Sequence, residues 1–275
     1  MANFISKLWL GASKRLFNLF ANPLAKYGIS KGKIIVLKHQ AAGKERKIKL
    51  LGRYFYYTSP AELVHGLQEI FEQGIYSQSF KSKPYIIDGG ANVGLSAIYF
   101  KHLAPGAIID AFEPDPVNAQ LFMKNTAYMA NVTLHQCALW KENTMLNFEM
   151  DGSMSSRLNA EGKDGKKIQQ VQAVRLKDRL EKEVDFLKLD IEGAEYEVLK
   201  DIEDRLHLVK SMFVEYHGTY AQNNELLEIL GIVNRAGFMF YIKEAANVHA
   251  HPLANSKVKL HGWDVQLNIF CLRKG

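Results

Sequence analysis

Residues 85–100 read YIIDGGANVGLSAIYF, and the reading of this stretch decides the fold. An aromatic and two apolar residues run into Asp88, Gly89, Gly90, Ala91, Asn92, Val93 and Gly94, after which a helical pattern begins. A buried strand therefore passes into a helix through a turn almost free of side chains. Such a turn lets a nucleotide-like ligand lie against backbone that a Cβ would push away. The spacing is not the G-x-G-x-x-G of a dinucleotide fingerprint, and no Walker lysine follows to reach a phosphate. What stands there is D-x-G-x-N-x-G, and a carboxylate at the entrance repels an anion and attracts an ammonium.

Outward from this turn the chain alternates strand and helix. IIDAFE at 108–113 is a second strand, followed by a helix opening at Pro114-Asp115-Pro116. VTLHQCAL at 132–139 reads as a third strand, and MLNFEM and KIQQVQAV as an extra hairpin around a Gly-, Ser- and Lys-rich turn. DFLKLD at 185–190 and MFVEYH at 212–217 are each followed by a helical segment, and FMFYIKE at 238–244 and VQLNIFCLRK at 265–274 close the chain. Alternation of this kind predicts an α/β, doubly wound parallel sheet with helices on both faces. The last two strands have only a loop between them and are expected to pair antiparallel at one edge. Glu113 stands 25 residues beyond Asp88 at the end of the second strand, where an acid can accept hydrogen bonds from both hydroxyls of a ribose. Turn, acid and strand order together point to S-adenosylmethionine, which carries a ribose, an ammonium and a sulfonium but no phosphate.

Four stretches resemble the FkbM-type family of S-adenosylmethionine-dependent methyltransferases: IIDGGANVGLSAIYF, AFEPDP, VQAVRLKDRLEKEVDFLKLDIEGAEYEVLK and FVEYHG. The resemblance covers about residues 60–275 and is strongest at LKLDIEGAE. It implies a class I methyltransferase fold, Rossmann-like, with a mostly parallel seven-stranded sheet in the order 3-2-1-4-5-7-6 and an antiparallel edge strand. It also implies that Asp88, Gly89, Gly90, Ala91, Asn92 and Gly94 hold the methionine portion of the cofactor. By the same resemblance Glu113, with Pro114 beside it, holds the ribose, and Cys137 and Ala138, at the end of the third strand, lie beside the adenine. Members of the family commonly methylate hydroxyls of sugars and secondary metabolites.

Methyl transfer to an alcohol needs an aligned acceptor and gains from a general base. Asp190 and Glu192 follow the strand DFLKLD, and Glu215 and His217 end the strand MFVEYH. Asp190 is expected to hold the cofactor's ammonium, and Glu192 to orient or deprotonate the acceptor, with His217 as the substitute base. Each has a structural alternative: Glu192 as a helix cap, His217 as a satisfied loop histidine, Glu215 in a buried hydrogen bond. Asp190 stands where metal-dependent catechol methyltransferases of this fold place a ligand. No Asp-Asp or Asp-Asn pair follows the next strand, so no metal is expected. His249, His251 and His261 fall in the loop between the last two strands, which is expected to lid the acceptor pocket, and Ser155, Ser156 and Arg157 are weaker candidates for cofactor or substrate contact. The expected reaction is O-methylation of a small molecule or glycan. A nucleic-acid methyltransferase would carry N-P-P-[YFW] or D-P-P-Y where this chain has DIEG, and a non-catalytic adenosyl-binding or membrane scaffold would not need the intact turn and acid pair.

Charge is placed unevenly. Residues 1–50 hold eleven Lys or Arg against a single acid, Glu45, while the remaining 225 residues are net −4, within a total of +6. Basicity confined to an arm does not suit a nucleic-acid cleft, which spreads positive charge around its substrate. On a helical wheel Ile5, Leu8, Trp9, Ala12, Leu16, Leu19 and Phe20 share a face opposite Lys7 and Lys14. Such a helix either packs on the protein or makes a peripheral contact through residues 1–24 with an anionic membrane. Residues 1–83 are read as an extension covering one edge of the 84–275 cofactor-binding domain. Within it KIIVLKH at 33–39 and RKIKLLGRYFYY at 46–57 are expected to form a hairpin through Ala-Ala-Gly, followed by a capped helix ending at Gly74. Two separated cysteines, Cys137 and Cys271, suit a reducing cytoplasm, no apolar run reaches spanning length, and the N-terminus makes a poor signal peptide.

Overall fold

The computed structural model describes residues 22–150, 157–158, 167–249 and 262–273. The proposed amphipathic helix, Ser155, Ser156, His251 and His261 lie outside them, and Arg157 is described only as backbone. The chain divides into two compact units, Met1–Ile75 and Tyr76–Gly275. Residues 76–83, grouped by sequence with the extension, sit with the second unit. The Tyr76 ring lies 5.5 Å from Phe100 and 5.0 Å from Phe213, and Phe80 lies 6.1 Å from Phe186.

In the first unit KIIVLKH is not a strand. It belongs to helix α1 (Lys31–Lys38), whose N-cap Ser30 accepts a hydrogen bond from Lys33 N at 3.2 Å. Three β-branched residues in a row favour a strand, but the cap satisfies an orphan helical N–H and only Leu37 of this run is buried, with Ile35 and Val36 exposed. The hairpin instead lies wholly inside the second run. Strands β1 (Arg46–Leu50) and β2 (Arg53–Tyr57) pair antiparallel across Leu51 and Gly52, both at positive φ (49° and 79°), as a two-residue turn of the primed type demands. Helix α2 (Pro60–Gly66) runs on into a π-helical stretch, Leu67–Gln73, and stops at Gly74 in the left-handed region.

The second unit is built on a seven-stranded sheet. Its strands are β3 (Tyr85–Gly89), β4 (Ile108–Phe112), β5 (Val132–His135), β10 (Val184–Leu189), β11 (Val209–Gly218), β12 (Phe238–Glu244) and β13 (Val265–Arg273). Their order is β12-β13-β11-β10-β3-β4-β5. From β11 to β5 neighbours are parallel, whereas β13 lies between β11 and β12 and is antiparallel to both. Between the strands run α3 (Leu95–Leu103), α4 (Pro116–Thr126), α5 (Glu195–Asp201) and α6 (Asn223–Arg235). Leu187, Leu189, Met212 and Val214 share a core with Val198 and Leu199 of α5 and Ile229, Ile232 and Val233 of α6. The alternate residues Phe186 and Phe213 meet Phe100 of α3 and Tyr76 on the other face. Strands β3 and β10 are buried along their whole length, which explains their near-continuous apolar sequence.

The run VTLHQCAL is two strands and not one. Cys137 N turns back to donate to His135 O at 2.9 Å, ending β5, and β6 (Ala138–Trp140) enters a second sheet. That sheet has the order β6-β9-β7-β8, with β7 (Thr144–Met150), β8 (Arg157–Leu158) and β9 (Lys167–Arg175). Strands β7 and β9 form the extra hairpin antiparallel, as expected. Cys137 thus follows the third strand of the main sheet, and Ala138 starts a strand of another. Among the described residues no helix is long and apolar enough to cross a membrane.

Candidate active site

The glycine turn closes at the carboxyl end of β3. Gly90 N and Ala91 N both donate to Phe112 O of β4 at 3.0 Å. A Cβ on Gly90, where φ is +74°, would overlap the carbonyl oxygen of Asp190, and one on Gly89 would meet Leu139 Cδ1 at 2.8 Å. The two glycines therefore clear room for the chain leaving β10 and for β6, in addition to any ligand. Beyond them Asn92 takes a left-handed φ of 48°, and Gly94 opens α3.

Glu113 holds this turn in place. One oxygen accepts from Asn92 N and the other from Asp115 N, both at 2.8 Å, while Asp115 caps α4 by accepting from Val117 N and Asn118 N. Burial pushes the Glu113 carboxyl up to about 7, against the lowering effect of the two backbone bonds. Each oxygen keeps a lone pair for a hydroxyl donor. Pro114 is half-buried beside it. Cys137 and Ala138 are buried just after His135, whose ring lies flat on Phe112 at 4.7 Å between ring centres.

Asp88 is completely buried rather than at the mouth of the turn. It accepts from Ser96 Oγ at 2.6 Å and faces Lys188 Nζ at 3.4 Å. Lys188, 2 % exposed, donates to the carbonyls of Gly89 and Gly90 at 3.0 and 2.9 Å and meets Asp190 Oδ2 at 3.3 Å. Burial by itself would discharge this ammonium, but Asp190 and Asp88 hold it charged, above its ordinary range. Lys188 thus pins the glycine turn from below. It escaped the sequence reading, although a lysine inside the apolar run DFLKL is a visible anomaly that demands a buried partner.

Past Asp190 the chain makes a second tight turn. Glu192 adopts φ 54°, rare for a residue with a long side chain, and Gly193 follows at 98°. Glu195, almost wholly buried, accepts from Ile191 N at 3.0 Å and Gly193 N at 3.0 Å. The helix start is therefore held by Glu195, another residue the sequence reading passed over. Its Oε1 also stands 3.3 Å from His217 Nδ1. On its other side His217 Nε2 faces Glu192 Oε2 at 3.7 Å and Glu215 Oε1 at 3.6 Å, and Trp263 lies against the ring with centroids 5.8 Å apart. Burial favours neutral imidazole, but Glu192, Glu195 and Glu215 outweigh it and hold His217 well above its ordinary value. The same carboxylates that raise its pKa surround the ring of His217, the residue the sequence offered as substitute base, on both nitrogens.

The fold thus brings Asp88, the turn to Gly94, Glu113, Asp190, Glu192 and His217 to the carboxyl ends of β3, β4, β10 and β11. Donor atoms of Asp190, Glu192 and His217 all lie within 4.8 Å of one another. The search for an acidic pair after β11 could not reveal this group, because its carboxylates come from the turn after β10. His249 does not join it. Its ring stacks on Tyr220 at 5.6 Å and stands 3.8 Å from Asp264.

Residues 88–240 match the family model described as the methyltransferase FkbM domain. "Methyltransferase 1" of Beauveria bassiana is 32% identical over 221 residues, covering 67% of this chain and 88% of that protein. "Methyltransferase sdnD" of Sordaria araneosa is 30% identical over 200 residues, covering 58% and 77% respectively. A crystal structure of Methyltransferase FkbM from Methylobacillus flagellatus KT superposes with a TM-score of 0.47 at 16% identity, over 74% of this chain and 47% of that one.

Proposed function

The chain belongs to the FkbM methyltransferase family, and from that premise we propose that it transfers a methyl group from S-adenosylmethionine to a hydroxyl of a sugar, glycan or secondary metabolite. The observation that carries the cofactor is the charge of the crevice. Asp190, Glu192 and Glu113 line the strand ends, while Lys188 is buried against Asp88 and Asp190. Among the described residues, the cationic groups at these strand ends, Lys188 and His217, are each engaged by carboxylates, which disfavours phosphates and suits a ligand bearing ammonium and sulfonium charge. Bound there, S-adenosylmethionine supplies a methyl carbon already activated by its sulfonium.

The chain's own groups then divide the work. Glu113 accepts the ribose hydroxyls while keeping its bonds to Asn92 N and Asp115 N. Asp190 faces the ammonium. Glu192, with about a fifth of its side chain exposed (22%), orients or deprotonates the acceptor hydroxyl. His217, its pKa raised by Glu192, Glu195 and Glu215, faces the Glu192 carboxylate and keeps it in place electrostatically. The reading is tested by calorimetry with S-adenosylhomocysteine, then by incubation with labelled cofactor and separate glycan, small-alcohol and nucleic-acid pools. Tight binding of the adenosyl ligand and labelling of a hydroxyl are expected. Tight NAD binding without adenosyl binding, or labelling of nucleic acid alone, would overturn it.

A further inference from the structure

We propose that Asp190, Glu192 and His217 form a binding site for one divalent transition-metal cation. The three residues each offer a donor atom, and these lie within 4.8 Å of one another. The distances from His217 Nε2 to Glu192 and Glu215, 3.7 and 3.6 Å, are too long for hydrogen bonds. The Glu192 separation fits donors gathered around a shared ion, since ligands each about 2.0–2.2 Å from a tetrahedral cation stand roughly 3.5 Å apart.

The imidazole supplies the second, independent observation. His217 is 3 % exposed, and its Nε2 faces the carboxylate of Glu192 at 3.7 Å. Its other nitrogen stands 3.3 Å from Glu195 Oε1, on a carboxylate itself anchored by Ile191 N and Gly193 N. A cation binding here displaces the Nε2 proton, and the carboxylate behind Nδ1 keeps the remaining proton on that nitrogen, which directs the Nε2 lone pair at the metal. Glu215, also close to Nε2, adds negative charge at the rim. Lys188 Nζ stands 3.3 Å from Asp190 Oδ2, and a carboxylate has a second oxygen to offer a cation. Asp190 and Glu192 are 26% and 22% exposed, which gives an ion a route from solvent.

One imidazole and two carboxylates suit Mn²⁺, Fe²⁺ or Zn²⁺ better than Ca²⁺, which prefers oxygen donors alone. A cation here polarises an acceptor oxygen as a Lewis acid. That use rests on the methyl-transfer reading, whereas the binding itself does not.

The test titrates chelator-stripped full-length protein with Mn²⁺ in the absence of cofactor and follows the free-ion paramagnetic resonance signal. One saturable equivalent is expected, with a nitrogen coupling in the bound spectrum that disappears in His217→Gln. Glu192→Gln and Asp190→Asn should each weaken binding at least about tenfold, with circular dichroism confirming an intact fold. Because His217 is buried and its replacement can disturb folding, the partly exposed Glu192→Gln is the decisive variant. Absence of saturable Mn²⁺ and Zn²⁺ binding by the folded protein would overturn the proposal, as would wild-type affinity in the folded double variant. S-adenosylhomocysteine binding, measured separately, reports on the cofactor reading alone.

Discussion

Lys188 is the residue on which the turn depends. Its replacement by Met leaves Asp88 and Asp190 without their cation and the Gly89 and Gly90 carbonyls without a donor. Removing one partner of a buried ion pair costs about 3–5 kcal/mol. Lys188→Met is therefore expected to lower the urea midpoint by that equivalent, and Asp88→Asn added to it to recover part of the loss. Unchanged unfolding in Lys188→Met would show that the ammonium carries no such role. Glu113 gives a pH-dependent prediction. Its carboxyl titrates near 7 in the folded chain and near 4.5 when unfolded, so between these values the folded state holds a proton the unfolded chain has released. Stability accordingly falls as pH rises through that window, by on the order of 3 kcal/mol, and stays lower above it. Ribose hydroxyls donate to the ionised form, so S-adenosylhomocysteine should bind more tightly at pH 8 than at pH 6. Calorimetry on Glu113→Gln should find weaker binding with no such slope. A slope that persists in the variant would assign it to another group. Glu192→Gln should leave cofactor affinity intact and lower kcat about 10²-fold, within the range for a lost general base. Full turnover by that variant with a true acceptor would remove Glu192 from the chemistry.

At the scale of elements, the turn after β3 and the turn after β10 are one construction. Asp190 N donates to Gly89 O at 3.3 Å, and the Asp190 carbonyl occupies the space a Gly90 side chain would need. Gly90→Val is therefore expected to lower the melting temperature of the ligand-free protein, not merely to block cofactor. A variant that melts like the parent but fails to bind would return Gly90 to a purely ligand-facing role. In the first unit α1 depends on its cap, since Ser30 Oγ is the side-chain acceptor at its first turn. Ser30→Ala should cost about 1 kcal/mol. Both cases show where element-level reading succeeds and fails. The segment 85–103 announced strand, turn and helix because Asp88-Gly-Gly-Ala-Asn-Val-Gly breaks one periodicity and a new one follows it. KIIVLKH misled because strand propensity in a short apolar run is a weak prior that one capping side chain and the surrounding packing override.

For the whole molecule, charge separates along the chain, with eleven basic residues in 1–50 and a net −4 beyond. If that arm meets an anionic surface, deletion of residues 1–21 should abolish salt-sensitive flotation with anionic vesicles and leave methyl transfer to a soluble acceptor unchanged. Equal flotation with and without the segment would refute it. What the sequence by itself determined was local: the glycine turn, the acid 25 residues on, the alternation that builds a parallel sheet, and the strand ends that carry Asp190, Glu192 and His217. These are legible because turn chemistry and hydrophobic period act between near neighbours. Tertiary structure alone decided that Asp88 is a buried counter-ion, that β5 breaks at His135 to send β6 into a second sheet, and that three carboxylates surround His217 and raise its pKa. Asp88 meets Lys188 from a hundred residues away, and His217 meets Glu195 across 22, through parallel strands joined by crossovers. The charge on a buried group is set by the carboxylates that surround it, and their company is assembled only when the strands pair.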